Sequence, residues 1–305
     1  MKLNEIRIRD PYIVAHEGYY YLFGSFICNI ADRSLRVMRS SDLIEWDEPK
    51  VIFTLDENSW ATNSDGISGY CDIWAPEIHR YNGKFYLFVS LLGKDGKRGT
   101  QIAVSDTVDG IYEPIINAPS TPKADSCIDG TLYVEKGIPY MVYSADWPFN
   151  FSSEKKCYIG RICAVELTED LKRPSGKPFV LFESDQAPTS ADRPAVHDYK
   201  GETVTRYGSD APFILRLSDG RLLLTWSPYP NMNYIVAGAI SKNGSIFGKW
   251  EHLAEPIYDK NGGHAMFFED FDGSKKMVIH GPEDDQNERT LIFNACEENG
   301  KIVLR

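Results

Sequence analysis

Apolar residues recur along this chain in short runs that follow a glycine: Tyr19-Tyr-Tyr-Leu-Phe23, Phe85-Tyr-Leu-Phe-Val89, Tyr140-Met-Val-Tyr143, Leu222-Leu-Leu-Thr-Trp226 and Met277-Val-Ile279. A shorter run precedes each, so every unit reads as strand, tight turn, strand, the hairpin pattern of β-branched and aromatic segments separated by a few turn residues. A third strand is predicted in each unit at 35–38, 101–104, 161–164, 235–238 and 291–294, then a turn and a fourth strand near Trp46-Asp-Glu-Pro49 or Tyr112-Glu-Pro114. The units begin at Asp10, Ala75, Asp129, Ala211 and His264, so successive starts are 65, 54, 82 and 53 residues apart. The first three align through the turn glycine without a gap, and the last two need one extra turn residue. Four antiparallel strands repeated five times predict an all-β, five-bladed β-propeller over a single domain, 1–305, with inner strands starting near 10, 75, 129, 211 and 264. The last apolar stretch, Lys301-Ile-Val-Leu304, is expected to pair with the first unit and close the ring.

In a propeller the opening strands line one channel, so their first residues converge. That brings Asp10, Trp74/Ala75, Asp129, Asp210/Ala211 and His264 to one mouth, with a carboxylate from three of the five units. An Asp before a strand also serves as a turn or cap residue. Three at matching positions point instead to acid–base chemistry, because carboxylates crowded in a pocket shift one another's pKa. Asp10 suits a general base that takes a proton from water. Trp74 offers a flat face for a sugar ring, or packs the channel wall. Glu77, two residues along the strand, shares a face with Ala75. Gly262-Gly-His264 puts a histidine in the channel, where it either contacts substrate, tunes a carboxylate, ligates a metal or simply packs. The polar loop 55–70, with Trp60, Asn63, Ser64 and Asp65, is a candidate rim contact, and the long polar stretch 183–207 is expected to cover one edge of the pocket.

Composition narrows the partners. A net charge of −11 without a basic run argues against nucleic acid or an anionic membrane and suits a neutral ligand. No apolar stretch approaches the roughly 18–20 residues of a membrane span. Six cysteines (Cys28, Cys71, Cys127, Cys157, Cys163, Cys296) form no C-x-x-C pair, which reads as buried free thiols in a reducing compartment, with a disulfide as the alternative. With no apolar leader before the first unit, the expected location is cytoplasmic. The absence of H-E-x-x-H and of EF-hand spacing argues against zinc hydrolysis or a calcium hand.

Arg9-Asp-Pro-Tyr12, Trp74-Ala-Pro-Glu-Ile78, Ser126-x-x-Asp129-Gly-Thr-Leu132, Asp210-x-Pro-Phe-Ile214 and Gly262-Gly-His-Ala-Met266, one motif per unit and in order, resemble glycoside hydrolase family 43. The resemblance implies inverting hydrolysis of pentosyl linkages, chiefly α-L-arabinofuranosides and β-xylosides, on an oligosaccharide substrate. On matching positions it makes Asp10 the general base, Asp129 the residue that orients the acid and tunes its pKa, and Asp210 the general acid. It requires no cofactor, and implies a structural calcium in the channel of some members, approached by a residue matching His264. The chain departs from the common Glu-Gly-Pro pattern at Asp210-Ala-Pro212, so the acid is one methylene shorter. Asp146 and Glu77 are the alternatives for that role, and a weak or inactive carbohydrate-binding propeller is the alternative function.

Overall fold

The computed structural model describes residues 1–25, 33–61, 73–123, 125–189, 196–197, 201–284 and 286–305. Cys28, Cys71, Asn63, Ser64, Asp65 and 190–195 and 198–200 of the long polar stretch lie outside them. Among the described residues the secondary structure is strands with four short 3-10 turns. Each sequence unit becomes one antiparallel four-stranded sheet in chain order. The first holds β1 (Arg9–His16), β2 (Tyr19–Ser25), β3 (Ser34–Ser40) and β4 (Lys50–Thr54); the second holds β5 (Ile73–Tyr81), β6 (Lys84–Leu92), β7 (Arg98–Ser105) and β8 (Glu113–Pro114). The third opens with β9 (Cys127–Glu135) and β10 (Ile138–Ala145). It is interrupted by β11 (Phe151–Ser152) and β12 (Cys157–Ile159), and resumes with β13 (Arg161–Glu166) and β14 (Phe179–Glu183). After β15 (Val196–His197) and β16 (Thr203–Tyr207) come the fourth sheet, β17 (Asp210–Arg216), β18 (Leu222–Ser227), β19 (Ala237–Ser241) and β20 (Trp250–His252), and the fifth, β21 (Gly263–Glu269), β22 (Lys275–Gly281), β23 (Arg289–Glu298) and β24 (Lys301–Leu304).

The surplus residues around the third unit form a sixth sheet, ordered β11-β12-β16-β15, in which β12 and β16 run parallel. The repeat pattern did not predict it, because these strands are two to five residues long and carry no turn signal of their own.

The turns explain the alignment of the units. In the first three, both central residues have positive φ: Glu17 and Gly18 at 49° and 81°, Asn82 and Gly83 at 45° and 81°, Lys136 and Gly137 at 52° and 84°. That is the type I′ hairpin, whose twist matches the flanking strands and which needs glycine at its second position. In the fourth and fifth units the longer turns bring only Gly220 and Gly273 to positive φ.

Consecutive sheets share their apolar faces. One cluster runs from the first sheet through the second and reaches Met266, Phe268 and Val278 of the fifth. Others join the second to the third, the third to the fourth and the fourth to the fifth. The opening strands pack in the order β1, β5, β9, β17, β21 and back to β1. β24 does not close this cycle: it pairs with β23 of its own sheet, Glu298 opposite Lys301. Closure falls to the segment before β1. Arg7 bridges to Arg289, and Ile8 N–H donates to the Glu288 carbonyl at 3.4 Å. Arg7 and Arg9 also meet the buried Glu288 carboxylate at 3.1 and 3.4 Å, and Arg9 reaches Glu283 at 2.9 Å.

Candidate active site

One backbone device recurs at the head of all five opening strands. The ladder to the second strand slips between Arg9 and Tyr12, between Trp74 and Glu77, opposite the Val142–Ser144 stretch, between Asp210 and Phe213, and between Gly263 and Met266. Inside each slip stands a residue at positive φ: Asp10 (50°), Ala75 (45°), Asp129 (54°), Ala211 (53°) and His264 (59°). A β-bulge re-aims a side chain, and non-glycine residues held in this left-handed region cluster at functional sites. The matching positions are therefore Asp10, Ala75, Asp129, Ala211 and His264. Trp74 and Asp210 stand one residue earlier, ahead of the bulge. The expected set of three equivalent carboxylates is corrected to two, with Asp210 offset from them by one residue.

The bulges are stitched together from sheet to sheet. The N–H of Ala75 donates to Ser25 Oγ at 2.9 Å, that of Asp129 to Ser90 Oγ at 2.8 Å, and that of His264 to Ser227 Oγ at 2.9 Å, each serine ending or lying near the end of the preceding sheet's second strand. Two links differ. Ala211 N–H donates to Asp129 Oδ2 at 2.9 Å, while Ser144 turns to Ser209, Oγ to Oγ at 2.8 Å. Asp10 N–H donates to His280 Nδ1 at 3.1 Å. Ser25, Ser90, Ser144 and Ser227 each stand 7 residues after the turn glycine of their unit, and that column is the signal in the sequence for this clasp.

Asp10 is the most constrained side chain of the group. Oδ1 lies 3.0 Å from His264 Nδ1 and 3.5 Å from His280 Nδ1, and Oδ2 accepts from Ser25 Oγ at 2.7 Å. Burial works against its charge, yet the facing His264, with His280 and Arg9, holds the Asp10 carboxyl well below the usual carboxylate range. The same pairing acts on His264. Burial disfavours its imidazolium, but Asp10, with Asp129 and Glu77 behind it, raises it to about 9. At neutral pH Asp10 and His264 are both charged.

Asp129 behaves oppositely. It is buried, and this burial, together with the negative charges of Asp210 and Asp10, outweighs His264 and the Ala211 N–H and lifts it to about 7. Asp129 therefore holds its proton to a much higher pH than Asp10 does.

The remaining candidates lie around this centre. Trp74 is 37% exposed, and the Arg98 guanidinium is stacked on its ring with 3.2 Å to the centroid. Glu77 is buried and lies 2.8 Å from His79 Nε2. Asp146 follows β10 at the end that pairs with Cys127; its N–H donates to the Ser126 carbonyl at 2.8 Å, and its carbonyl accepts from Asn150 Nδ2 at 2.8 Å. Sequence reasoning missed the aromatic stack behind His280. Tyr234 is buried and stacks on Tyr229 (4.2 Å, 29°) and on His280 (5.4 Å, 28°). A Cβ on Gly263 would come within 2.6 Å of the Tyr234 ring, which is why glycine precedes His264. Glu283, 2.7 Å from His280 Nε2 and 3.2 Å from the Tyr229 hydroxyl, joins this stack to Arg9.

His264 Nδ1 is engaged by Asp10. Among the described residues no three His, Cys, Asp or Glu side chains are grouped to hold an ion.

Comparison with known proteins agrees with this arrangement. A structure of an endo-arabinase from Bacteroides thetaiotaomicron superposes with a TM-score of 0.84 at 32% identity, over 99% of this chain and 98% of its own. The extracellular endo-alpha-(1->5)-L-arabinanase 1 of Bacillus subtilis is 30% identical over 150 residues, 47% of this chain and 45% of its own length. The extracellular exo-alpha-(1->5)-L-arabinofuranosidase of Streptomyces avermitilis is 21% identical over 312 residues, 93% of this chain and 58% of its own length. The chain thus spans about half the length of the curated relatives it matches. The family model described as glycosyl hydrolases family 43 matches residues 4–297, the span that contains every bulge and every clasp described above, and the chain belongs to that family.

Proposed function

We propose that this chain is an inverting glycoside hydrolase that cleaves pentosyl linkages, arabinofuranosides first and β-xylosides second, built as one five-bladed β-propeller domain over 1–305 with the bulge residues at its channel mouth. The observation that carries the reading is the contrast between two buried carboxyls: Asp10 Oδ1 lies 3.0 Å from His264 Nδ1, which holds it ionised, while Asp129, bonded to the Ala211 N–H and facing the charge of Asp210, is pushed upward. Inversion needs that division, one carboxylate to accept a proton from the attacking water and one carboxylic acid to protonate the departing oxygen, about 6.5–9.5 Å apart. In this reading Asp10 activates water, Asp210 delivers the proton, and Asp129 keeps it there while tying itself to the Ala211 N–H. His264 orients and ionises Asp10, and Trp74 meets a sugar ring. An ion in the channel would lie beside His264 through water. It would add positive charge near Asp10, and no step here depends on it.

Release of arabinose or arabino-oligosaccharides from linear α-1,5-arabinan, with nitrophenyl α-L-arabinofuranoside and β-D-xyloside alongside, tests the assignment. Turnover on any of the three supports a pentosyl hydrolase, and none on all three overturns it.

The pH profile gives a further expected result. In this reading the acid works only while a proton is held at Asp129 beside Asp210, so kcat/KM falls as pH rises through the Asp129 value of about 7. In Asp129→Asn the neutral amide removes the like charge that keeps the proton on the pair, and the basic limb moves to lower pH with a reduced maximum. A variant with the wild-type profile and full activity would reduce Asp129 to a structural ligand of the Ala211 N–H.

A further inference from the structure

The sequence suits a neutral ligand, with 33 Lys and Arg against 44 Asp and Glu. The fold nevertheless gathers cations at one place beside the mouth. A groove of about 310 Å³ is lined by Trp60, Lys94, Lys97, Arg98, Pro119 and Lys123, at the small end of the range of ligand sites. Two acids line it as well, Asp95 and Asp125. Asp95 is committed to its own turn, where Oδ1 accepts from Lys97 N–H at 3.1 Å and Gly93 N–H donates to the Lys97 carbonyl at 2.7 Å. Four positive side chains against two carboxylates leave the groove cationic on a strongly anionic molecule.

The aromatic wall is built rather than incidental. Trp60 Nε1 donates to Gln101 Oε1 at 2.5 Å, and its backbone N–H donates to Asn117 Oδ1 at 2.8 Å. Its ring passes over two glycines: a Cβ on Gly93 would stand 3.1 Å from Trp60 Cζ3, and one on Gly99 3.4 Å from Cη2. The groove adjoins the candidate site through one residue. Arg98 lines it and is stacked on Trp74, whose successor Ala75 is one of the five bulge residues.

The geometry points to a subsite for a carboxylate-bearing sugar, a uronosyl residue carried by the same polysaccharide whose pentosyl linkage lies in the channel. Trp60 and Pro119 supply the apolar face for the ring, and Lys94 and Lys123 meet its carboxylate. This rests on the hydrolase reading for its substrate but not for its test, because binding is measured apart from cleavage.

The probes are arabinofuranosyl-substituted xylo-oligosaccharides that carry one glucuronic acid, and the same oligosaccharides after reduction of that carboxyl to the alcohol. The protein is the full chain carrying Asp10→Asn, which binds without cleaving, and affinity is read by calorimetry. The expected result is about fivefold tighter binding of the acidic form, the scale of solvent-accessible charge pairs, fading as salt is raised. Adding Lys94→Met and Lys123→Met brings the ratio of the two affinities to about one. Equal affinity for the two forms, or a preference that survives both substitutions, overturns the subsite. If the wild-type protein cleaves no pentosyl substrate while the lysine-dependent preference stands, the hydrolase reading has failed and the subsite has not.

Discussion

Asp10→Asn is expected to lower hydrolysis by about 10²–10⁴-fold, the usual cost of losing a general base, while the protein still folds and binds sugar. The amide keeps the shape of the carboxylate, so Ser25 Oγ can still donate to one terminal atom and the Asp10 N–H still reaches His280 Nδ1. What is lost is the negative charge. Without it nothing takes the proton from water, and His264 no longer has the partner that holds it charged 3.0 Å away. The His264 imidazole then falls back from about 9. A folded Asp10→Asn protein, matched to wild type in thermal unfolding, that turns over within tenfold of wild type would remove Asp10 from the chemistry.

Asp210→Asn is expected to have an effect that depends on the leaving group. A poor leaving group departs only with a proton, whereas dinitrophenolate departs without one. The variant should therefore lose two or more orders of magnitude on arabino-oligosaccharides, about 1.4 kcal/mol of barrier per tenfold, and far less on dinitrophenyl glycosides. The structure ranks the alternatives. Glu77 is buried and engaged with His79 at 2.8 Å, a poor position from which to reach a glycosidic oxygen. Asp146 stands beyond the end of β10, over Ser126 rather than inside a bulge. Equal losses on both substrate classes, or none on either, would take the role from Asp210. Asp146→Asn and Glu77→Gln assayed in the same way would then show which carboxylate supplies the proton.

The local grammar of this fold is legible in the chain because it is written in turn chemistry. Gly18, Gly83 and Gly137 sit where a two-residue hairpin demands positive φ, and the extra residue in the last two turns is visible as a gap in the alignment. Asp10, Asp129 and His264 emerge as a group for the same reason, since Asp10 and Asp129 each stand 8 residues before the turn glycine and His264 stands 9 before Gly273, the difference being the extra turn residue. Finer placement is not legible. Nothing in Asp210-Ala-Pro212 or Trp74-Ala-Pro76 says which residue of the pair enters the bulge; that follows from the ladder slip, a property of two strands together. The closing strand was misassigned on similar grounds. Lys301–Leu304 is apolar enough to pair with either neighbour, and a short connection through Asn299-Gly300 favours its own sheet. The cationic groove is invisible along the chain because Trp60, Lys94 to Arg98 and Lys123 come from three separate stretches of the sequence and form no basic run.

The central claim is that an ionised Asp10 activates water on the face of the sugar opposite the departing oxygen, with the proton supplied from the Asp129–Asp210 pair. The direct measurement is proton NMR of the first sugar released from a pentosyl glycoside, recorded before mutarotation scrambles the anomers. The account predicts that the initial signal is the anomer inverted relative to the substrate, with the retained anomer growing in only at the mutarotation rate. If the retained anomer appears first, a carboxylate has attacked the sugar itself, and the roles assigned here to Asp10 and Asp210 are wrong.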